Sequence, residues 1–460
     1  MNNTVSNSTS KEVVLLVATI ASFLFPFMGS AVVIALPSIG RDLSLDAVTL
    51  GWITTAFLLA SACLLVPFGR IADIYGRKKI FTYGIIIFTT ASLLLGMASS
   101  AAMLISFRVL QGIGGAMIAG TGVAMLTSVF PANERGRALG INVAATYLGL
   151  SLGPFLGGVL TQHLSWRSIF FINVPLGLAV IAVILWKLKG DWADARGEKF
   201  DFAGSIIYSL ALVALIYGFT LLPAMLGVWL IVAGIISFLA FVRWEMKLSS
   251  PVLDINLFRN SRVFALSNLA ALINYSATFA VGFLISLYLQ YVRGFSPQSA
   301  GLILVAMPAM QAIFSPFAGR LSDRVEPRVI ASAGMAFTTA GLILFIFLNA
   351  ETSLQFTIAG LLLVGFGFAL FSSPNTNAVM SSAPKKAYGV ASATLATMRQ
   401  VGMALSMGIA MLMFALHMGR VEIIPEYYQL FMESINTVFT IFAVLCFGGI
   451  FASLARGKVR

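Results

Sequence analysis

Polar and charged positions in this chain are confined to short segments, and the stretches between them stay apolar for tens of residues. Val13–Gly40, Ala47–Gly69, Ile80–Phe107, Phe202–Val242, Val263–Val292 and Ser434–Ala455 contain no Asp, Glu, Lys or Arg. A helix that crosses a bilayer needs about 20 mostly apolar residues, because the hydrocarbon core is roughly 30 Å thick and each residue adds about 1.5 Å. Several of these stretches hold one such helix, and Phe202–Val242 holds two, broken near Pro223. Windows bounded by charge or by Pro/Gly breaks predict fourteen helices, at about 13–36, 49–68, 80–98, 102–129, 138–160, 168–186, 203–222, 226–244, 263–290, 301–319, 329–348, 353–372, 387–414 and 434–455. The connections are short and leave no room for a soluble domain. The pattern predicts an all-α, polytopic membrane protein.

Composition agrees with that pattern. With 59% hydrophobic residues, 10% charged residues and a mean hydropathy of +0.95, the chain lies far from the roughly 25% charged residues of soluble domains. Its 41 glycines suit membrane helices that pack through small residues. The net charge of +12 does not point to nucleic acid, because the basic residues sit in the inter-helix loops, where they set topology. With the N-terminus inside, the outer side holds only Arg41, Arg167, Arg293 and Arg420, and Arg108 and Arg399 fall within spans. The other 23 of the 29 Lys and Arg lie on the cytoplasmic side, which places both termini there. The longest cytoplasmic loops are Lys187–Phe202 and Glu245–Arg262. Cys63 and Cys446 fall inside apolar segments, so neither a disulfide nor a metal site is expected. The polar start, Met1–Lys11, and the length of the first apolar run argue against a cleaved signal peptide.

A loop motif occurs twice. After helix 2 the chain reads Gly69-Arg70-Ile-Ala-Asp73-Ile-Tyr-Gly76-Arg77-Lys78-Lys79, and after helix 10 it reads Gly319-Arg320-Leu-Ser-Asp323. Gly, Arg and Asp recur at one spacing, each time after a Pro-Phe pair, Pro67-Phe68 and Pro316-Phe317. Two solvated basic loops that stabilise topology would need only the charge. Shared Gly and Asp spacing points instead to two halves built alike around a central site, a recurrent transporter design.

Gly69–Lys79 is similar to the signature loop of the major facilitator superfamily, with Ile71 in place of Leu. Further motifs follow in order: Arg108-Val-Leu-Gln111-Gly112 in helix 4, Gly149-Leu-Ser-Leu-Gly153-Pro154-Phe-Leu-Gly157-Gly158 in helix 5, Trp166–Gly177, and Met398-Arg399-Gln400-Val-Gly402 in helix 13. The helix 5 run resembles the antiporter signature, and the last two resemble the fourteen-helix drug:proton antiporter branch. The resemblance covers essentially the whole chain. It implies the major facilitator fold of two six-helix bundles, at 1–187 and 263–460, joined by two inserted helices within 188–262. It implies that helices 1, 4, 9 and 12 line a central cavity and that one bundle rocks against the other. It also implies gating roles for Gly69, Arg70, Asp73, Gly76, Arg77, Arg320 and Asp323 on the cytoplasmic side, and for Gly153, Pro154 and Gly157 in helix 5. Asp73 should face the start of helix 13 and Asp323 that of helix 5, where a helix N-terminus favours a carboxylate. Gly69 and Gly76 allow close backbone approach and a tight turn. The glycines and Pro154 of helix 5 permit close packing and a kink.

Arg108 and Arg399 are the sharpest chemical features, since intramembrane charge is costly and faces a cavity or a partner. Arg399 lies about 18 Å along helix 13 from Ala387, close to the midplane. Arg108 is only about 10 Å from the outer end of helix 4, within snorkelling reach of the headgroups. Gln111, Asn268, Asn274, Tyr275 and Gln400 are candidate cavity neighbours, and each serves equally as a helix–helix hydrogen bond.

The chain also departs from the family. Met28 and Val33 stand where helix 1 of the fourteen-helix antiporters carries Asp and Asn, and none of the 17 acidic residues lies deep in a span. Proton coupling therefore rests on analogy, with Glu433, just before helix 14, as the candidate carrier. No G-x-x-x-x-G-K-[ST] loop is present, so ATP does not drive the protein directly. An enzyme would need a deep nucleophile or acid–base pair, and a receptor a soluble domain. The reading is a secondary transporter of the cell membrane that exports amphipathic small molecules, or one dedicated to an anionic metabolite. Its partners are a small-molecule substrate, the bilayer and protons, with no nucleic acid, obligatory protein partner, cofactor or metal.

Overall fold

The computed structural model describes residues 2–188, 190–248, 255–384 and 388–457. Lys189, Lys385, Lys386, Lys458 and Arg460, which entered the charge count, and Ala387, the expected start of helix 13, lie outside them. Among the described residues there is no strand. Fourteen helices are long and apolar enough to cross a membrane: α1 (Lys11–Leu43), α2 (Ala47–Tyr75), α3 (Arg77–Gly96), α4 (Ala101–Val129), α5 (Glu134–His163), α6 (Ser168–Lys187), α7 (Phe202–Thr220), α8 (Met225–Glu245), α9 (Arg262–Val292), α10 (Pro297–Ser322), α11 (Pro327–Ile346), α12 (Leu354–Ser381), α13 (Val390–His417) and α14 (Pro425–Ala455).

The helices begin where a short polar side chain meets the first free backbone N–H groups. Asp46 caps α2 by accepting from the N–H of Val48 and Thr49 at 2.9 and 3.0 Å. Ser100, Ser261, Ser296 and Ser353 cap α4, α9, α10 and α12 in the same way. Between α2 and α3 the chain turns on Gly76 alone, whose φ of 118° is open to glycine and strained for other residues. Several helices outrun their apolar windows, because backbone hydrogen bonding continues past the point where charge begins. One of them is α14, which starts at Pro425 and so places Glu433 two turns inside the helix rather than before it.

Two sets of six helices pack by the same pairings. In the first, α1 packs on α5, α2 and α3 on α4, and α3 on α6. In the second, α9 packs on α13, α10 and α11 on α12, and α11 on α14. Equivalent crossings use equivalent glycines. A Cβ on Gly114 would stand 2.8 Å from the Gly84 carbonyl oxygen across α3 and α4, and one on Gly334 would stand 2.6 Å from that of Gly367 across α11 and α12. Lipid offers no hydrophobic drive for helices to associate, so backbones this close supply the dispersion contact that does. The remaining pair, α7 and α8, lies against α2 and α13. Tyr208 and Ser209 donate to the carbonyls of Ala62 and Cys63 at 3.2 and 3.0 Å, and the Phe219 ring lies on α13 at Gly408.

These crossings predict which glycines matter. Gly334→Val must push the α12 backbone away and should cost about 1–3 kcal/mol, read as a lower melting temperature and folded yield of the purified protein. Gly448→Ala, where a Cβ meets nothing within 4 Å, should be neutral or slightly stabilising by the same measurement.

Candidate functional site

The two six-helix sets meet along α1–α9, α5–α10 and α2–α13. Near the middle of the second set stands Arg399, nine residues into α13, about 14 Å along it. It is half-buried. Its Nη2 donates to the Thr376 hydroxyl of α12 at 2.6 Å, and its guanidinium carbon lies 5.7 Å from the centre of the Tyr275 ring of α9. Tyr275 in turn meets Phe368 edge to face at 5.1 Å. From the first set, Tyr147 of α5 comes close enough to feel Arg399 and Tyr275, beside Ser315 and Ser372. None of the ion pairs among the described residues includes Arg399, and its Nε is buried without a hydrogen-bond partner. Gln400, the next residue, turns into the α2–α13 seam and donates to Ser61 at 3.4 Å. Asn274 is fully buried with neither side-chain polar atom hydrogen-bonded.

Arg108 is different and corrects its assignment to the cavity. It is 0% exposed. Its Nε donates to the Ile53 carbonyl at 2.9 Å and its Nη1 to Gln111 Oε1 at 2.6 Å, while Gln111 Nε2 donates to Ser92 at 2.9 Å. The guanidinium also lies 4.4 Å from the centre of the Phe57 ring. Arg108 and Gln111 therefore tie α4 to α2 and α3 and present no surface to a ligand. Snorkelling does not occur either, because partners inside the bundle are closer than the headgroups. Asn268, another expected neighbour, donates to Phe264 in its own helix at 2.9 Å.

The seam is sealed at the face opposite the basic loops. Ser286 and Gln290 of α9 donate to the carbonyls of Val33 and Ile34 at 3.0 Å each, Tyr291 donates to that of Pro37 at 3.2 Å, and Arg41 donates to that of Gln290 at 3.0 Å. The glycine run of α5 fits between α1 and α10. A Cβ on Gly157 would stand 2.8 Å from Ala31 Cα, and one on Gly158 would stand 2.5 Å from the Pro297 carbonyl oxygen. Gly153 meets Ser30 and the Phe27 carbonyl, and Gly301 of α10 rides on Pro154. His163 meets Gln298 at 2.9 Å just beyond.

At the basic face the signature loop is clasped by the segment that follows α6. Arg77 bonds Asp73 at 2.7 Å, Asp194 at 2.7 Å and Ser128 at 2.5 Å, and Arg70 bonds Glu198 at 2.5 Å. Backbone bonds join the two segments in both directions, from Arg77 N to Trp192 O and from Ala195 N to Asp73 O. The expected seat of Asp73, the start of helix 13, lies outside the described residues; among those described, Asp73 pairs with Arg77 one turn away. The close approach expected at Gly69 is corrected, since a Cβ there would meet nothing within 4 Å. Arg320 and Asp323, the repeat's counterparts, are exposed at the end of α10. Glu433 is exposed on α14 and accepts from Gln429 at 3.2 Å.

Sequence reasoning missed Thr376, Phe368, Tyr147, the acidic clasp and Arg456. One signal for Tyr147 existed: it lies seven residues, two helical turns, before Pro154 and so shares its face. Nothing in the chain sets Arg456 apart from other terminal charges. Yet it is 1% exposed and donates to Ser267, Asn375 and the Pro327 carbonyl at 3.1, 2.7 and 3.0 Å, binding the ends of α9, α11, α12 and α14.

Comparison with known proteins places this architecture. The family model described as Major Facilitator Superfamily matches residues 18–407 and 267–458. The chain is 29% identical over 440 residues to the riboflavin transporter RibZ of Clostridioides difficile (strain 630), covering 96% of each protein. It is 32% identical over 401 residues to the multidrug resistance protein Stp of Mycobacterium tuberculosis (strain CDC 1551 / Oshkosh), covering 85% of this chain and 74% of Stp. In fold it matches a bacterial homolog of the human lysosomal transporter Spinster, solved in an inward-facing, unoccupied conformation, with a TM-score of 0.67, 18% identity and 97% of each chain covered. The chain belongs to the major facilitator superfamily, and it is a membrane transporter rather than an enzyme.

The clasped loop separates a conformational role from a topological one. Asp73→Asn should slow transport in proteoliposomes by about tenfold or more, the worth of a charged hydrogen bond, with expression and substrate affinity unchanged. Lys79→Gln, which alters an exposed residue of the same loop, should transport like the parent protein. Equal loss from both would make the loop a topology signal only.

Proposed function

We propose that this transporter exports amphipathic small molecules from the cytoplasm by alternating access, with the basic face and both termini cytoplasmic. The observation that carries the reading is the one-sided seal. The halves touch through α1–α9 and the α5–α10 glycine crossing at the face opposite the basic loops, while Asp73 and Arg77 are engaged with each other and with the segment that follows α6. On this reading the structure is the inward-facing state, in keeping with the inward-facing fold neighbour. The scarcity of Lys and Arg in the loops at the sealed face, four against 23 at the other, supports that face as external, because cytoplasmic loops collect Lys and Arg. Opening outward requires the crossing to part and the halves to close over Arg70–Arg77, so both loop and glycines act on one two-state equilibrium.

A multidrug resistance protein and a riboflavin transporter among the relatives support small organic substrates. Substrate reaches the centre from the basic face and meets Tyr275, Phe368 and Arg399. A carrier dedicated to an anionic metabolite is the second reading, and it is Arg399 without a carboxylate that favours it. Energy comes from an ion gradient, with protons as the coupling ion by analogy with the fourteen-helix antiporters.

Inside-out membrane vesicles test the proposal. Compounds from an amphipathic panel should accumulate without ATP, and an imposed pH gradient should raise the rate. No accumulation of any compound under any gradient would sink the export reading. The same assay decides the place of Glu433. It lies on the exposed side of α14, away from Arg399, so Glu433→Gln is expected to keep its dependence on the pH gradient. Loss of that dependence with binding intact would restore Glu433 as the carrier.

A further inference from the structure

We infer that the substrates held best at the centre are planar aromatic monoanions, clasped through their charged group by Arg399 and through their ring by Tyr275 and Phe368. This rests on the reading that the chain transports small molecules through the space between its halves, and it names the class that space selects.

A guanidinium stays protonated at any physiological pH, so Arg399 carries its charge in every state of the cycle. An unpaired cation in a membrane interior is costly unless something replaces its water. Among the described residues, only one of its N–H groups has a protein acceptor, the neutral Thr376 hydroxyl at 2.6 Å. The Nε has none, and none of the ion pairs among the described residues involves Arg399. Arg399 as a residue is half-buried rather than enclosed, with its Nε shut off from solvent, so a ligand meets the guanidinium at its Nη groups. A carboxylate or sulfonate fits the remaining fork and is the group whose charge neutralises it. A cationic ligand would add to the charge instead, with no carboxylate to offset either.

The ring requirement comes from the neighbours. Tyr275 lies under the guanidinium at 5.7 Å and meets Phe368 edge to face at 5.1 Å, with Tyr147 approaching from the other half. Aromatic faces next to a cation favour a flat, polarisable partner that stacks on one while its anion meets the other. The restriction to a single negative charge follows from Arg108. The other arginine buried within the membrane helices is fully enclosed by Ile53, Gln111 and Phe57, so a second anionic group finds no second cation.

Four matched probes test this on the full-length purified protein: 2-naphthoate, 2-naphthalenemethanol, 2-naphthylmethylammonium and naphthalene-2,6-dicarboxylate. Titration calorimetry in detergent should show naphthoate binding about 10- to 100-fold more tightly than the alcohol, the range for a charged hydrogen bond. The ammonium should be weakest, and the dicarboxylate no better than naphthoate. Arg399→Ala should bring naphthoate down to the level of the alcohol and leave the alcohol unchanged, which also shows that the variant is folded. Arg399→Lys should recover part of the loss, having the charge without the planar fork. If Arg399→Ala does not fold, the wild-type series alone decides.

The inference is overturned if wild-type protein binds the ammonium as tightly as naphthoate. It is also overturned if Arg399→Ala weakens naphthoate and the alcohol equally. Flux in proteoliposomes separates the two readings. Flux of probes without charge preference would reject the inference and keep transport. The expected binding order with no flux of any probe would keep the site and reject transport.

Discussion

The cost of a charge in hydrocarbon organises this molecule. It keeps Asp, Glu, Lys and Arg out of the spans, and it forces a special arrangement on each exception. Arg108 and Arg456 are both buried; Arg108 donates to a carbonyl and a side-chain amide oxygen, and Arg456 to a hydroxyl, a side-chain amide oxygen and a carbonyl, which replace water. Neither has a counter-charge among these contacts, so each serves as a brace that ties several helices together. Arg399 shares their setting but, among the described residues, has a single protein acceptor and some exposure. The same physics makes two arginines structural and, on the proposed reading, leaves the third for a ligand.

A second constraint follows from the solvent. Lipid does not press helices together, so association relies on close backbone contact where glycine removes the side chain. The glycine crossings within each half, such as Gly84 with Gly114 and Gly334 with Gly367, hold those halves together. The crossing of α5 with α10, through Gly158 and Gly301, uses the same device between halves. It has few polar locks of its own, which suits a contact that must part and reform. At the other end, Arg70 and Arg77 are held by Asp73, Asp194 and Glu198. On the proposed alternating-access reading, the two ends exchange one kind of contact for another as the equilibrium shifts.

Much of this was legible in the chain. Fourteen apolar windows, the doubled Gly-Arg-x-x-Asp loop and the ordered motifs lead to the fold and the family, because those features are local or repeat at fixed spacing. The depth of Arg399, and the lack of any carboxylate at that depth, could be counted from the helical rise. The direction in which Arg108 points could not, since a one-residue change in facing moves a side chain by about 100° around the helix. The acidic partners of Arg77 and Arg70 were also out of reach, because Asp194 and Glu198 come from a loop more than a hundred residues away with no pattern linking them.

By itself, then, the sequence determined where the chain crosses the membrane, which face collects positive charge, and which few polar residues are carried into the interior, because insertion into lipid is decided segment by segment from composition. Only the tertiary structure decided which arginine is spent on helix packing and which stays partly exposed between helices. It alone showed that the helix 5 glycines pack on α1 and α10 at one face and that an acidic loop clasps the other. Those outcomes depend on which helices become neighbours and at what rotation, and that is set by close contacts between segments far apart in the chain.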